Sequence, residues 1–186
     1  MNRIAIPTAA QTPAATLPLL AAVQKQLGVV PNLMKLVGNS PAALEGYLSL
    51  NGALSKGSIG IKTSERIALA ISEINACSYC LSAHSYLAKN FAKLDDAEIE
   101  ENRNGKSSDP KANAAVLFAA SVANKRGHVA DAEVQAVKAA GFSDAEVVEI
   151  VLHVALTTLT NYVNEVALTE IDFPLVEHKV SAANGR

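Results

Sequence analysis

The chain has 186 residues, 49% of them hydrophobic and 18% charged, with a formal net charge of −2 and only seven prolines. That length can bury roughly two thirds or more of its unfolded surface, so one domain over residues 1–186 is expected and a disordered chain is excluded. A near-neutral chain with no Lys or Arg stripe interleaved with aromatics has no field for phosphates, which argues against a nucleic-acid partner.

Near the N-terminus, Leu17 to Val23 resembles a signal-peptide core, but Pro18 interrupts it and only Arg3 precedes it with charge, so a cytoplasmic protein is expected. A first helix ends over Ala21 to Leu27 at Gly28, and Pro31 opens a short second helix through Val37. Ser40-Pro41 is a cap and first-turn pair for a helix to about Leu54, closed by a flexible polar loop, Ser55 to Ser58. Ile67, Ala70, Ile71 and Ile74 recur at helical spacing, which predicts a helix from a Thr63 cap to Asn75, broken at Asn75 or Ala76. The pattern resumes from Cys77 through Leu81, His84, Leu87 and Phe91. Asp95 to Glu101 reads as a short acidic helix with a solvated face, followed by a loop over Asn102 to Ser108. Asp109-Pro110 starts a helix to about Arg126, Asp131 caps Ala132 to Ala140, and Gly141 ends it before Ser143 caps a long final helix. Within that helix, Val147 to Leu168 carries Glu149, His153, Asn161, Asn164 and Glu165, so it reads as a buried helix and no membrane partner is expected.

No segment reads as a strand, and the fold class is all-α. Aromatic residues make up only 4% of the chain, so Ala, Val and Leu must fill the core, which suits closely packed helices. The apolar surplus on so small a chain points to burial between subunits, hence a homo-oligomer.

Both cysteines fall in one unit, Cys77-Ser78-Tyr79-Cys80, and His84 follows Cys80 by four residues. On a helix these three side chains share a stripe. A thiolate is the active nucleophile, and a helix N-terminus or a protonated imidazole favours it. Cys80 has the nearest histidine, and Cys77 is placed to attack a sulfenic acid or mixed disulfide on Cys80. A purely stabilising disulfide is the plainer alternative, but so short a loop removes only about 2 kcal/mol of chain entropy. Zinc is the other rival, yet a structural site wants four ligands and the stripe offers three. The redox reading is preferred, with no metal and no bound cofactor required.

Glu65, eleven residues, Cys77-Ser78-Tyr79-Cys80, three residues and His84 resemble the alkylhydroperoxidase D (AhpD)-like core of the carboxymuconolactone decarboxylase family. Asn161-Tyr162-Val163-Asn164 and Glu170 to Pro174 are similar to its peroxidase-related branch, so the resemblance runs over about residues 28–174. It implies a single-domain helical bundle assembled as trimers or hexamers, with Cys80 as peroxidatic nucleophile, Cys77 as resolving thiol, and Glu65 and His84 as proton relay. The implied partners are a hydroperoxide substrate and a dithiol or disulfide-reductase donor. Tyr79 departs from alkylhydroperoxidase D itself, which carries a histidine immediately before the second cysteine; the phenol is a candidate hydrogen-bond donor to a peroxide oxygen, or simply a packed ring.

His153, in the long apolar helix, is a second-tier candidate. Asn161 and Asn164 share a face and are expected to satisfy buried groups, while His128 and His178 lie in exposed contexts; these four are assigned no chemistry. The leading function is therefore a thiol-dependent peroxidase. The alternatives are a redox sensor or disulfide adaptor without turnover, and a ring-acid decarboxylase of the broader family, whose chemistry does not need paired thiols.

Overall fold

The computed structural model describes residues 2–179; residue 1 and residues 180–186 of the expected domain lie outside the described residues. Local chemistry sets most helix ends. After a 3-10 turn, α1 (Leu17–Leu27) takes Pro18 into its first turn and ends at Gly28, whose φ of 77° needs glycine. The next pair is α2 (Asn32–Val37) and α3 (Pro41–Leu54), and the Ser40 hydroxyl caps α3 by accepting the Ala43 amide. Then come α4 (Gly60–Ile74), α5 (Ser78–Asn90) and α6 (Asp96–Arg103). Asp109 caps α7 (Pro110–Asn124), α8 is Asp131–Ala139, and a reciprocal Ser143–Glu146 capping box starts α9 (Asp144–Ala167). Among the described residues there is no strand, so the all-α expectation holds.

Helix α4 is the centre of the bundle. It buries every residue from Arg66 to Glu73 and packs against α5, α6, α7 and α9. Ile67 and Ile71 join Ala119, Val137, Ile150 and Val154 in the main core, each large aliphatic chain contributing about 1.5–3 kcal/mol by leaving water. A second cluster sets Val23, Leu33, Met34 and Leu44 around Cys77, Tyr79 and Cys80, so the thiols sit inside apolar packing.

Five local expectations need correction, and distant partners explain most of them. Helix α4 begins at Gly60 rather than at a Thr63 cap, because Glu149 of α9 reaches back and its Oε2 accepts the Ser58 and Ile59 amides at 2.7 and 3.1 Å. The same carboxylate ties down the Ser55–Ser58 loop, and a Cβ on Gly57 would stand 2.7 Å from it. The acidic α6 is not simply a solvated face: Asp95 is its cap, while Glu98 is buried against Arg66 at 2.7 Å and accepts the Ser107 and Ser108 hydroxyls. Asn102, expected in a loop, is buried in the last turn of α6, donating to Glu98 and to the Lys106 carbonyl. Asp131 lies inside α8 rather than capping it, and the Ala130 amide is held by Glu133 instead.

Helix α9 is buried on one side only. It is long and apolar enough by composition to cross a bilayer, but its inward side carries His153, Thr157, Thr160, Asn161 and Asn164. Its outward side shows Val148, Leu152, Leu159, Tyr162 and Val166. Ile150, Val154 and Leu156 also face inward, so α9 is apolar on both sides and differs from an ordinary amphipathic helix.

Glu149→Ala should lower the unfolding free energy by about 1–2 kcal/mol through loss of the α4 cap. Urea denaturation measures it, and an unchanged midpoint would contradict the capping role.

Candidate active site

The site is built where α4 ends and α5 begins. Ala76 adopts the left-handed conformation (φ 53°), and the chain turns so that the Cys77 amide reaches the Ser72 carbonyl at 2.9 Å. Cys77 thereby becomes the N-cap of α5, its sulfur accepting the Cys80 amide at 3.3 Å. Cys80 lies in the first turn and His84 one turn further along, while Glu65 comes from α4 and bonds His84 Nδ1 at 2.9 Å. The four residues singled out by spacing are thus brought together, Glu65 and His84 as an ion pair and the two thiols as neighbours.

The cysteines are free and buried. Cys80, 2% exposed, lines a cavity of about 640 Å³ together with Glu65, His84, Tyr47, Met34 and His153. Cys77 is 0% exposed and is not part of the lining. The cavity wall is largely apolar, with Val23, Leu27, Leu33, Leu48, Leu87 and Phe91.

Electrostatics separate the two thiols. Burial pushes Cys80 up, but the hydrogen bond from Cys77, the charge of His84 and the amides of Asn164 and Asn161 outweigh it and bring the thiol down to about 7. Cys77 goes the other way, far above the ordinary thiol range, because its proton bridges to Cys80 and it is buried. Burial disfavours the His84 imidazolium, yet the Glu65 charge and hydrogen bond, with Cys80 beside them, leave its pKa raised. Burial pushes the Tyr47 phenol up to about 12, aided by Cys80 and Glu65. Desolvation raises the carboxyl of Glu165 on α9, with Cys77 acting in the opposite direction.

Tyr79 is placed differently from its neighbours. Its hydroxyl accepts the Leu33 amide at 3.0 Å and donates to Asp172 Oδ1 at 2.9 Å, and its ring meets Phe173 edge-on. The phenol therefore joins α2, α5 and the segment after α9. His153 is buried on the cavity wall with Nε2 lacking a partner, and desolvation lowers its pKa.

Three neighbours to which the sequence assigned no chemistry stand beside the thiols or the α4–α5 junction. Asn164 donates from Nδ2 to Cys80 Sγ at 3.2 Å. Asn161 accepts from Asn75 at 2.8 Å and donates to Ser72 at 3.2 Å, which fixes α9 against the α4–α5 junction. His178 is half-buried rather than exposed, its Nδ1 2.8 Å from the Ser78 hydroxyl; His128 is exposed. The available signal for the asparagines was their shared inward face in an otherwise apolar helix. Among the described residues, no group of three or more His, Cys, Asp or Glu is arranged to hold a metal.

The model of the carboxymuconolactone decarboxylase family matches residues 41–119, which include Glu65, Cys77, Cys80 and His84. Among solved structures, the chain is similar to the alkylhydroperoxidase AhpD core of a peroxidase-related protein from Ralstonia eutropha JMP134, with TM-score 0.82, 23% identity and 92% of each chain covered. A peroxidase-related protein from Silicibacter sp. TM1040 superposes with TM-score 0.78 at 22% identity, covering 90% of this chain and 89% of that one. The debrominase Bmp8, as a cysteine-to-alanine variant with 2,3,4-tribromopyrrole, gives TM-score 0.76 at 17% identity over 91% of each chain. A sequence search of curated proteins gives no match.

Alkylation of Cys80 by iodoacetamide should rise with pH around a midpoint near 7, because the thiolate reacts and the native thiol is depressed. Glu65→Gln should weaken the His84 imidazolium and move that midpoint up by about one unit, a tenfold slower reaction at neutral pH. A wild-type midpoint near 9 would contradict the arrangement.

Proposed function

We propose, from the match of residues 41–119 to the carboxymuconolactone decarboxylase family model and from the AhpD-like all-α fold, a thiol-dependent peroxidase that reduces organic hydroperoxides. The observation that carries the reading is the division between the thiols. Cys80 faces the cavity and is the one held near 7, while Cys77 sits behind it as a protonated thiol.

The Cys80 thiolate attacks the terminal oxygen of the hydroperoxide. An S–O bond forms, the O–O bond breaks, and the departing alkoxide takes a proton from the His84 imidazolium, which Glu65 holds in place. Cys80 is then a sulfenic acid. Cys77 gives up its proton and attacks the Cys80 sulfur; the S–O bond breaks, and the leaving hydroxide departs with a proton as water. The Cys77 position at the α5 N-cap favours the transient thiolate. An external dithiol reduces the resulting disulfide and is itself oxidised. The apolar wall suits an organic rather than an inorganic peroxide.

A second copy of the chain is the proposed cover for the outward apolar side of α9, giving the trimer or hexamer that the resemblance implies. Light scattering should show an oligomer that Tyr162→Glu dissociates; a monomeric wild type would contradict it.

Turnover of an organic hydroperoxide with a dithiol donor is the functional test. Cys80→Ser and Cys77→Ser should each abolish sustained turnover, and His84→Gln should lower kcat/KM by about 100-fold or more. Undiminished turnover in both cysteine variants would defeat the reading, and stoichiometric oxidation without turnover would indicate a redox sensor instead.

A further inference from the structure

Asn164 occupies a position that structural packing alone does not explain. It is 2% exposed, on the polar inward side of α9, and its amide Nδ2 lies 3.2 Å from the Cys80 sulfur. Its other polar atom, Oδ1, is buried with no hydrogen-bond partner. A buried carbonyl oxygen left unpaired is costly and calls for a reason.

Three features fix the side chain there. Asn161, one turn earlier, is held by Asn75 and Ser72, so α9 cannot slide relative to Cys80 without losing two hydrogen bonds. Thr160 and Ala167 flank Asn164 as buried positions. Finally, the sulfur to which Asn164 donates belongs to the cysteine that lines the cavity, Cys80 and not Cys77.

We propose that Asn164 is a catalytic residue that serves Cys80 in two successive states: its Nδ2–H group holds the thiolate, and its Oδ1 accepts the hydroxyl of the Cys80 sulfenic acid. In the first state an N–H donor favours the charged form of the sulfur. In the second, the thiolate has gained an OH from the peroxide, the O–O bond has broken, and the alkoxide has left with the His84 proton. The new S–O–H group is a donor that the reduced site lacks, and the unpaired Oδ1 is the acceptor waiting for it. The bond holds the sulfenic acid until Cys77 displaces the hydroxide. The thiolate half stands on the geometry of the reduced protein, whereas the sulfenic half rests on the peroxidase reading.

The thiolate half is tested without peroxide. In ¹⁵N-labelled wild type, the Asn164 side-chain amide resonance should titrate with the same midpoint as thiolate absorbance; a resonance that stays flat through that midpoint overturns the assignment. Asn164→Leu removes the donor and should move the Cys80 alkylation midpoint up by about one unit, lowering the rate at neutral pH about tenfold. Asn164→Asp, nearly isosteric but acceptor only, should move it further. A merely structural role would not produce that order, and wild-type midpoints in folded variants overturn the proposal.

For the sulfenic half, Asn164→Leu in a Cys77→Ser background should over-oxidise to the sulfinic acid about tenfold faster than Cys77→Ser alone, read by intact mass. Equal rates overturn that half. If the Cys77→Ser protein with Asn164 intact is never oxidised at Cys80 by hydroperoxide, the peroxidase reading fails and takes the sulfenic half with it, while the titrations still decide the first.

Discussion

Holding a sulfur anionic inside an apolar cavity works against desolvation, and the arrangement around Cys80 offsets that penalty. Burial alone would raise the thiol, so several polar groups must converge on one atom: the Cys77 thiol, the His84 charge and the amides of Asn164 and Asn161. They arrive from several different elements. The sharp turn at Ala76 supplies Cys77, the first turns of α5 supply Cys80 and His84, α4 supplies Glu65, and α9 supplies the asparagines. The packing of α4 against both α5 and α9 is what makes the convergence possible.

The polarity of α9 follows from the same constraint. The helix presents His153, Asn161 and Asn164 to the interior beside Ile150, Val154 and Leu156, and still shows Val148, Leu152, Leu159, Tyr162 and Val166 outside. A contiguous exposed apolar surface of this kind marks an interaction site. On the proposed reading, site and assembly are therefore two faces of one helix, and a substitution that turns α9 would disturb both.

What was legible in the sequence was local. The caps at Ser40, Asp109 and Ser143 and the stop at Gly28 depend on residues within one turn, and each stands where the pattern places it. Cys77, Cys80 and His84 were legible because they share one helical stripe at fixed spacing, whereas Glu65, on the preceding helix, was legible only through the family resemblance. The start of α4 was not, since its cap is Glu149, some ninety residues away in sequence. Glu98 looked solvated within an acidic run, and only the fold brings Arg66 to it. Asn164 was expected to satisfy a buried group but was assigned no chemistry, because nothing in the order of residues says that α9 crosses the thiols at that point. Tyr79 was legible as a departure from the family pattern, but its link to Leu33 and Asp172 depends on two segments that meet only in the folded chain.

The central claim is that Cys80 is oxidised first and Cys77 resolves it. The direct measurement is mass-spectrometric mapping after one equivalent of an organic hydroperoxide, with dimedone present to trap sulfenic acid. The account predicts a Cys77–Cys80 disulfide in the wild type and a dimedone adduct on Cys80 in Cys77→Ser. An adduct on Cys77 in Cys80→Ser with none on Cys80 in Cys77→Ser would contradict it, as would two thiols left unmodified.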